Sequence, residues 1–514
     1  MYKIEWDKET GGVLLSSKVS KETLGISPRP VWFEELDLLG LDKLGYVYPQ
    51  SEAPLMWAVN KQYFYRGDLV FQAKGANLYD SATITIMPGF EDLELIPIDV
   101  KKMIERNRDI MFLLESEAIE FIRETFFIYS TASKKFNEIK ANQLDFEAIV
   151  ASIEQKQKRK MAIIKEECDS FDVMPLDIAE QQGKQRLLAT KIDVFLASFS
   201  GGKDSQVVLD LCTRALPPNV FEVIYSDTGY ELPSSLNLYE DVKRHYSALY
   251  PGLKFSTARN HASVLSYWDK IGTPSDTHRW CCSVMKTAPL YRSLKVSGTN
   301  KQAKVLTFDG VRAEESARRG NYERMGKGVK HSTVVNAHPI LYWNTSEIFL
   351  YLFSYALPIN NAYRLGKSRV GCITCPYSSE WDDMIVSRCY GAELEPFISR
   401  IYNWSKQEGV KDLEVYLKER KWKFRASGKF MKISTQVNFK NSPNNFYAQV
   451  KSAKLPITAW LPVLGEFTFF NTSNGFCGDI KYKNTVYSFE VKGDGTDYTC
   501  LLYTSPSPRD STSS

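Results

Sequence analysis

The sequence has no long apolar run. Its start, Met1–Lys8, holds no apolar signal core, so a secretory leader is not expected. The most apolar window, Ile348–Ile359, is too short to span a bilayer and reads as a buried helix. A surplus of one charge is also lacking. The net charge is +4 over 514 residues, so bulk charge makes no case for nucleic acid. No internal repeat is visible. These absences point to a cytoplasmic protein with no membrane partner and a length that suits about three domains. In such a reducing compartment the nine cysteines point to metal or catalytic roles rather than disulfides.

What is present centres on Ser198–Ser205, which reads Ser-Phe-Ser-Gly-Gly-Lys-Asp-Ser. The apolar run Ile192–Ala197 before it predicts a buried parallel strand. In Gln206–Ala215 after it, Val207, Val208, Leu211, Cys212 and Ala215 fall on one helical face. A strand, a glycine turn and a helix start together make an anion site: Gly201 and Gly202 let phosphate approach, and the free amides and helix dipole face it. Lys203 adds a charge, Ser198, Ser200 and Ser205 add hydroxyls, and Asp204 completes the motif. A Walker A loop is excluded, because its spacing is absent.

Two further strand ends carry polar turns. Asp227-Thr228-Gly229 closes Phe221–Tyr225 and suits a ribose or magnesium contact. Gly310-Val311-Arg312 follows Lys304–Phe308, and Arg312 suits a bidentate phosphate or sulfate contact. Arg319 reads as a solvated helix residue, and Arg318–His331 as a mobile basic loop beside an anionic substrate.

Cys281 and Cys282 are adjacent, and Cys372 and Cys375 form a C-x-x-C. Four thiolates suit a [4Fe–4S] cluster or a zinc ion, and four buried cysteines are the plain alternative. Adjacent cysteines fit one tetrahedral ion poorly and a larger cluster better.

The Ser198–Ser205 loop resembles the PP-loop of the adenine-nucleotide alpha-hydrolase superfamily. Cys281–Leu290 resembles the C-C-x-x-x-K-x-x-P-L pattern of the phosphoadenosine phosphosulfate (PAPS) reductase family, and Gly371–Pro376, the D-T-G turn and the Gly310–Ser316 segment are similar to that family too. The resemblance covers roughly residues 190–390. It implies an α/β fold with a parallel-sheet PP-loop core and cluster ligands at Cys281, Cys282, Cys372 and Cys375. It also implies that Lys286 tunes the cluster or orients the substrate. Two departures stand out. The Lys203-Asp204-Ser205 portion is intact where reductases soften it, and the family's Glu-Cys-Gly nucleophile segment does not occur; Cys389 and Cys477 read as buried small hydrophobes instead. The expectation is therefore an ATP-using, α–β-cleaving sulfurtransferase similar to DndC-type proteins. It would use ATP, Mg2+ and a [4Fe–4S] cluster, with Lys203, Asp204, Lys286 and Arg312 as catalytic residues. A nucleic acid acceptor and a cysteine desulfurase or reductant protein are the implied partners. A sulfonucleotide reductase acting on adenylyl sulfate (APS) or PAPS is the second reading, and a non-catalytic nucleotide-sensing or DNA-binding defence component the third.

Around this core the sequence predicts a small β-rich module over 1–95, with strands at Tyr46–Tyr48, Tyr63–Tyr65, Leu69–Ala73 and Ala82–Ile86. A helical connector follows over 96–190, with helices at Val100–Thr125 and Phe146–Cys168. The PP-loop domain is expected over 191–390, a helical extension over 391–430 and a strand-rich, incomplete domain over 431–499. Residues 500–514 resemble the translation of a sequencing-library adapter.

Overall fold

A computed structural model describes residues 2–141, 146–165, 171–182, 186–187, 192–276, 278–296, 299–327, 334–427, 436–442, 445–451, 457–459, 461, 466–482, 485–493 and 497–503. The chain packs as two compact units. The first holds residues 1–227, 231–259 and 289–372, and the second 228–230, 260–288 and 373–514.

The first unit is built on a six-stranded sheet: β1 (Val194–Phe199), β2 (Glu222–Asp227), β3 (Lys254–Arg259), β4 (Val305–Phe308), β5 (Met325–Lys327) and β6 (Val334–Ala337). Their spatial order is β3-β2-β1-β4-β6-β5. All neighbouring pairs are parallel except the β5–β6 edge. Runs such as Val194–Ala197 are apolar on both sides because both faces are covered. On one face Ala197 and Phe199 pack with Val207, Val208 and Leu211 of the helix Lys203–Ala215. On the other, Leu196, Ile224 and Val334 pack with Leu294 and Ala303. Strand order reverses between β2 and β4, so the crevice above the ends of β1 and β4 is the expected ligand position.

The N-terminal module belongs to the same core. A five-stranded antiparallel sheet runs Arg29–Val31, Met56–Val59, Gln62–Tyr65, Asp68–Lys74, Thr83–Ile86. Tyr46–Tyr48 is not a strand; Val47 makes only an isolated bridge with Glu94. Gly45 before it has φ +93° and Pro49 after it lacks an amide donor, so the run cannot extend. Trp32 anchors the module, with its ring centroid 6.0 Å from that of Phe349 on the helix Thr345–Ser354. The helix Val100–Ala141 is longer than expected and buries Met103, Met111, Ala118 and Ile122 along one stripe.

The second predicted helix ends early, at Gln157. A three-stranded antiparallel sheet of Met161–Lys165, Phe171–Pro175 and Arg186–Leu187 follows. Lys158 has φ +52°, which breaks the helix, and the β-branched pair Ile163-Ile164 favours extended chain.

The second unit carries the helices Val264–Ile271, Glu380–Cys389, Gly391–Gln407 and Leu413–Lys418. Its C-terminal part is an antiparallel sheet of six strands, ordered Gln436–Ser442, Asn445–Lys451, Tyr498–Tyr503, Thr485–Gly493, Gly475–Tyr482, Glu466–Thr472. The strand Tyr498–Tyr503 runs through the boundary expected at Thr499. Cys500 and Leu502 pack against the cluster of Leu461, Ile480, Phe489 and Val491.

Candidate nucleotide and cysteine sites

Gly201 has φ +74°, a left-handed turn that glycine adopts without strain. Gly202 then caps the helix Lys203–Ala215 with no side-chain hydrogen bond, so an anion is the natural cap. The loop is held from several directions. Ser205 Oγ donates to the Gly202 carbonyl (2.8 Å) and accepts from the Ser200 amide (3.1 Å). Asn360 Nδ2 donates to the Gly201 carbonyl at 3.0 Å. The Lys203 amide donates to the Tyr363 hydroxyl at 3.1 Å, and Lys203 Nζ lies 5.1 Å from the Tyr363 ring centroid.

The charges form a chain. Lys203 Nζ meets Asp204 Oδ2 at 3.0 Å, and Arg312 Nε meets Asp204 Oδ1 at 2.6 Å. Arg312 also pairs with Glu314 at 2.7 Å, and Glu314 accepts from the Thr345 amide at 2.8 Å. Burial pushes the Asp204 carboxyl up, but Lys203 and Arg312 outweigh it and hold Asp204 below its ordinary range. Arg312 is 3% exposed. Its guanidinium is thus spent on Asp204 and Glu314, and it sets the loop's charges through them. Gly310 explains its own residue type: a Cβ there would lie 2.8 Å from the Asp204 carbonyl carbon and 2.9 Å from the Ser205 nitrogen. The β4 turn packs directly on the helix start.

Asp227 ends β2 and pairs with Arg259 at 3.4 Å. The next two residues of that turn, Thr228 and Gly229, are buried and at φ +74° respectively. Glu231 forms an isolated bridge with Cys372, which ties the C-x-x-C segment to this strand end. Arg319, read as solvated, is half-buried. Burial, and then the like charge of Arg369, lower its affinity for a proton.

In the second unit Cys281 precedes a π-helical turn, Cys282–Thr287, that flows into the helix Ala288–Ser293. Such turns recur at functional sites. Both thiols are partly buried, and Lys286 on the same turn is exposed. Arg279 Nη2 lies 3.6 Å from Cys282 Sγ. Cys375 Sγ accepts from the Tyr377 amide at 3.4 Å, and Arg279 stacks on the Tyr377 ring at 4.3 Å. Burial works against the Arg279 charge, yet Cys282, then Tyr377 and Cys375, raise its affinity for a proton. Among the described residues no group of three or more His, Cys, Asp or Glu side chains is gathered as a metal ligand set. Cys389 is exposed and Cys477 partly buried, so neither is the fully buried hydrophobe expected.

Residues 195–378 match the phosphoadenosine phosphosulfate reductase domain. This segment is similar to the PAPS reductase family. An uncharacterized protein of Methanocaldococcus jannaschii is 34% identical over 184 residues, 35% of this chain and 36% of that protein. The chain thus spans about a third of that relative's length. The adenosine 5'-phosphosulfate reductase of Staphylococcus haemolyticus is 24% identical over 185 residues, 36% of this chain and 70% of the reductase. The crystal structure of phosphoadenylyl-sulfate (PAPS) reductase from Candida auris, a phosphate complex, is 21% identical, with a TM-score of 0.27 over 35% of this chain and 80% of that one. The fold assignment rests on the strand order and the loop. No described helix is long and apolar enough to cross a membrane.

Tyr363, Asn360 and His338 were not singled out in the sequence. Each lies more than 130 residues from the loop, and no local motif announces them.

Proposed function

We propose that the PAPS reductase domain binds ATP on Ser198–Ser205 and cleaves it between the α and β phosphates. The observation that carries this reading is the intact Lys203-Asp204-Ser205 portion, with Lys203 held at the loop by Asp204 and Asp204 held in turn by Arg312. A buried, paired lysine costs little reorganisation when phosphate charge develops. Gly201 and Gly202 let the backbone amides reach the phosphates. Asp227, Thr228 and Gly229 are assigned to the ribose or magnesium. An acceptor attacks the α-phosphorus, and pyrophosphate leaves with the bonding electrons.

The four cysteines Cys281, Cys282, Cys372 and Cys375 would hold a [4Fe–4S] cluster. The donor chemistry fits: two partly buried thiols are adjacent, and Arg279 beside Cys282 offsets thiolate charge. Such a cluster supplies sulfur binding or electrons, and Lys286 would orient the acceptor. A nucleic acid acceptor and a desulfurase or reductant partner complete this proposal.

The likeness to APS reductases favours one other reading, reduction of a sulfonucleotide bound on the same loop. The deciding assay is pyrophosphate release from ATP by anaerobically purified protein. Release that is lost in a folded Lys203→Ala variant supports ATP cleavage. Tight binding of APS or PAPS without pyrophosphate release replaces it with the reductase reading.

A further inference from the structure

The segment that holds the PP-loop is itself held from another side. Between the helix Thr345–Ser354 and Cys372, the only helix is the four-residue turn Asn361–Arg364. A single helical turn is not stable alone, because its nucleation costs more than one hydrogen bond returns. Its position is therefore set by what it touches. Toward the loop, Asn360 Nδ2 donates to the Gly201 carbonyl and to Ser235 Oγ, each at 3.0 Å. The Tyr363 hydroxyl accepts from the Lys203 amide at 3.1 Å, and a Cβ on Gly202 would lie 3.3 Å from that oxygen.

Toward the N-terminal module, the next residues act. Arg364 Nε donates to Glu34 Oε1 at 2.5 Å, and Nη1 donates to Glu52 Oε2 at 2.7 Å. The guanidinium lies 5.7 Å from the Trp32 ring centroid and 5.8 Å from that of Phe33. The Arg364 and Glu34 side chains are only 14% and 21% exposed, so water screens this pair less than a surface ion pair. Two residues on, Gly366 has φ +94°, and a Cβ there would meet Glu35 Cδ at 2.5 Å. Glu35 has no room to yield. It is fully buried, takes Nη1 and Nη2 of Arg29 at 2.6 Å each, and accepts from the Tyr63 hydroxyl at 2.7 Å.

We infer that the N-terminal module braces the PP-loop, and that Arg364 is the positioning residue that couples the two. Tyr363 and Arg364 are neighbours on one short turn, so a shift at Glu34 is passed to the hydroxyl on the Lys203 amide. The brace fixes the Gly201 carbonyl and the Lys203 amide before an anion arrives. A preformed site binds more tightly than one that its ligand must order. The module thereby sets the affinity of a loop it does not touch. That the braced loop serves a nucleotide rests on the reading above; the brace itself is read without any ligand.

The first test is hydrogen exchange of the full chain without ligand, read by mass spectrometry. Arg364→Ala should speed exchange in peptides spanning Ser198–Gln206 about tenfold, the worth of one charge-assisted hydrogen bond. Peptides covering Val305–Phe308 should exchange as in wild type. Glu34→Gln, which keeps the side-chain shape, should give a smaller effect in the same loop peptides. In a Tyr363→Phe background the Arg364→Ala increment should largely vanish, because its route is already cut. Unchanged loop exchange in folded Arg364→Ala and Glu34→Gln proteins overturns the inference. So does the full increment in the Tyr363→Phe background, or an equal rise throughout the sheet, which makes Arg364 a plain stability contact. Titration of the same proteins with ATP, APS and inorganic pyrophosphate separates the two readings. Binding that Arg364→Ala weakens about tenfold supports both. Binding indifferent to Arg364 keeps the nucleotide reading and removes the brace. No binding by wild type removes the nucleotide reading, and the exchange result then decides the brace.

Discussion

The PP-loop turn and the cysteine segment are built to different standards. At the loop each buried charge has a partner: Lys203 on Asp204, Asp204 on Arg312, Arg312 on Glu314. At the cysteines the thiols are only partly buried, one guanidinium stands beside Cys282, and no ligand set is gathered among the described residues. On the proposed reading the difference follows from what each would hold. Phosphate is bound by fixed amides and charges, so the chain can finish that site alone. Thiolate ligands repel one another until a metal neutralises them, so such a site is finished by what it binds.

The strongest way to break this contrast is Arg312→Ala. It leaves Asp204 buried with one partner fewer and should cost about 3–5 kcal/mol, measured by denaturant unfolding. The pH dependence carries a signature. Asp204 is held below its ordinary 3.8, so the stability from its ion pairs is fully present above that pH and is lost as pH falls through its lower folded value. Wild type should lose this contribution in acid, and the variant should lose less.

Glu347 gives the next effect, with the opposite sign. It caps the helix Thr345–Ser354, and burial raises its carboxyl from 4.5 to about 7. Its stabilising contribution is fully present below pH 4.5 and is lost as pH rises through 7. At about 1.4 kcal/mol per pH unit the loss is up to about 3 kcal/mol. Glu347→Gln should flatten the stability profile between pH 4.5 and 7, as read by melting at several pH values. A profile as steep as that of wild type would assign the slope to another group.

Gly310→Ala forces a methyl against the helix start and should cost about 1–3 kcal/mol, with loss of nucleotide cleavage. Unchanged melting and turnover would mean the close approach at Asp204 is not needed. The smallest stability effect is expected at the cysteines. Compared in the iron-free protein, Cys282→Ser should shift unfolding by less than about 0.5 kcal/mol, and the anaerobically purified variant should lose its iron content. Full iron content in that variant would remove Cys282 from the ligand set. A large loss of stability would erase the contrast.

Much of the central sheet was legible because its signals are local. Val194–Phe199, the two glycines and the helix face of Val207, Val208 and Leu211 fall within about twenty residues and follow simple periodicities. The apolar window Ile348–Ile359, read as a buried helix, overlaps the helix Thr345–Ser354. The strands Lys254–Arg259 and Val334–Ala337 were missed. The first mixes polar residues into an edge position, and the second is only four residues long. The sheet at Met161–Lys165 was missed because its apolar run also fits a helical period.

The sequence by itself determined the phosphate loop, the family resemblance and the residues that carry both, because glycine geometry, helix starts and motif spacing act over a few residues. Only the tertiary structure decided that Arg312 serves Asp204. The same is true of Tyr363 and Asn360 holding the loop, and of His338 meeting Asp309. Those contacts join residues 29 to 160 positions apart. They exist because a parallel sheet carries successive strand ends to one edge, where buried charges must find partners.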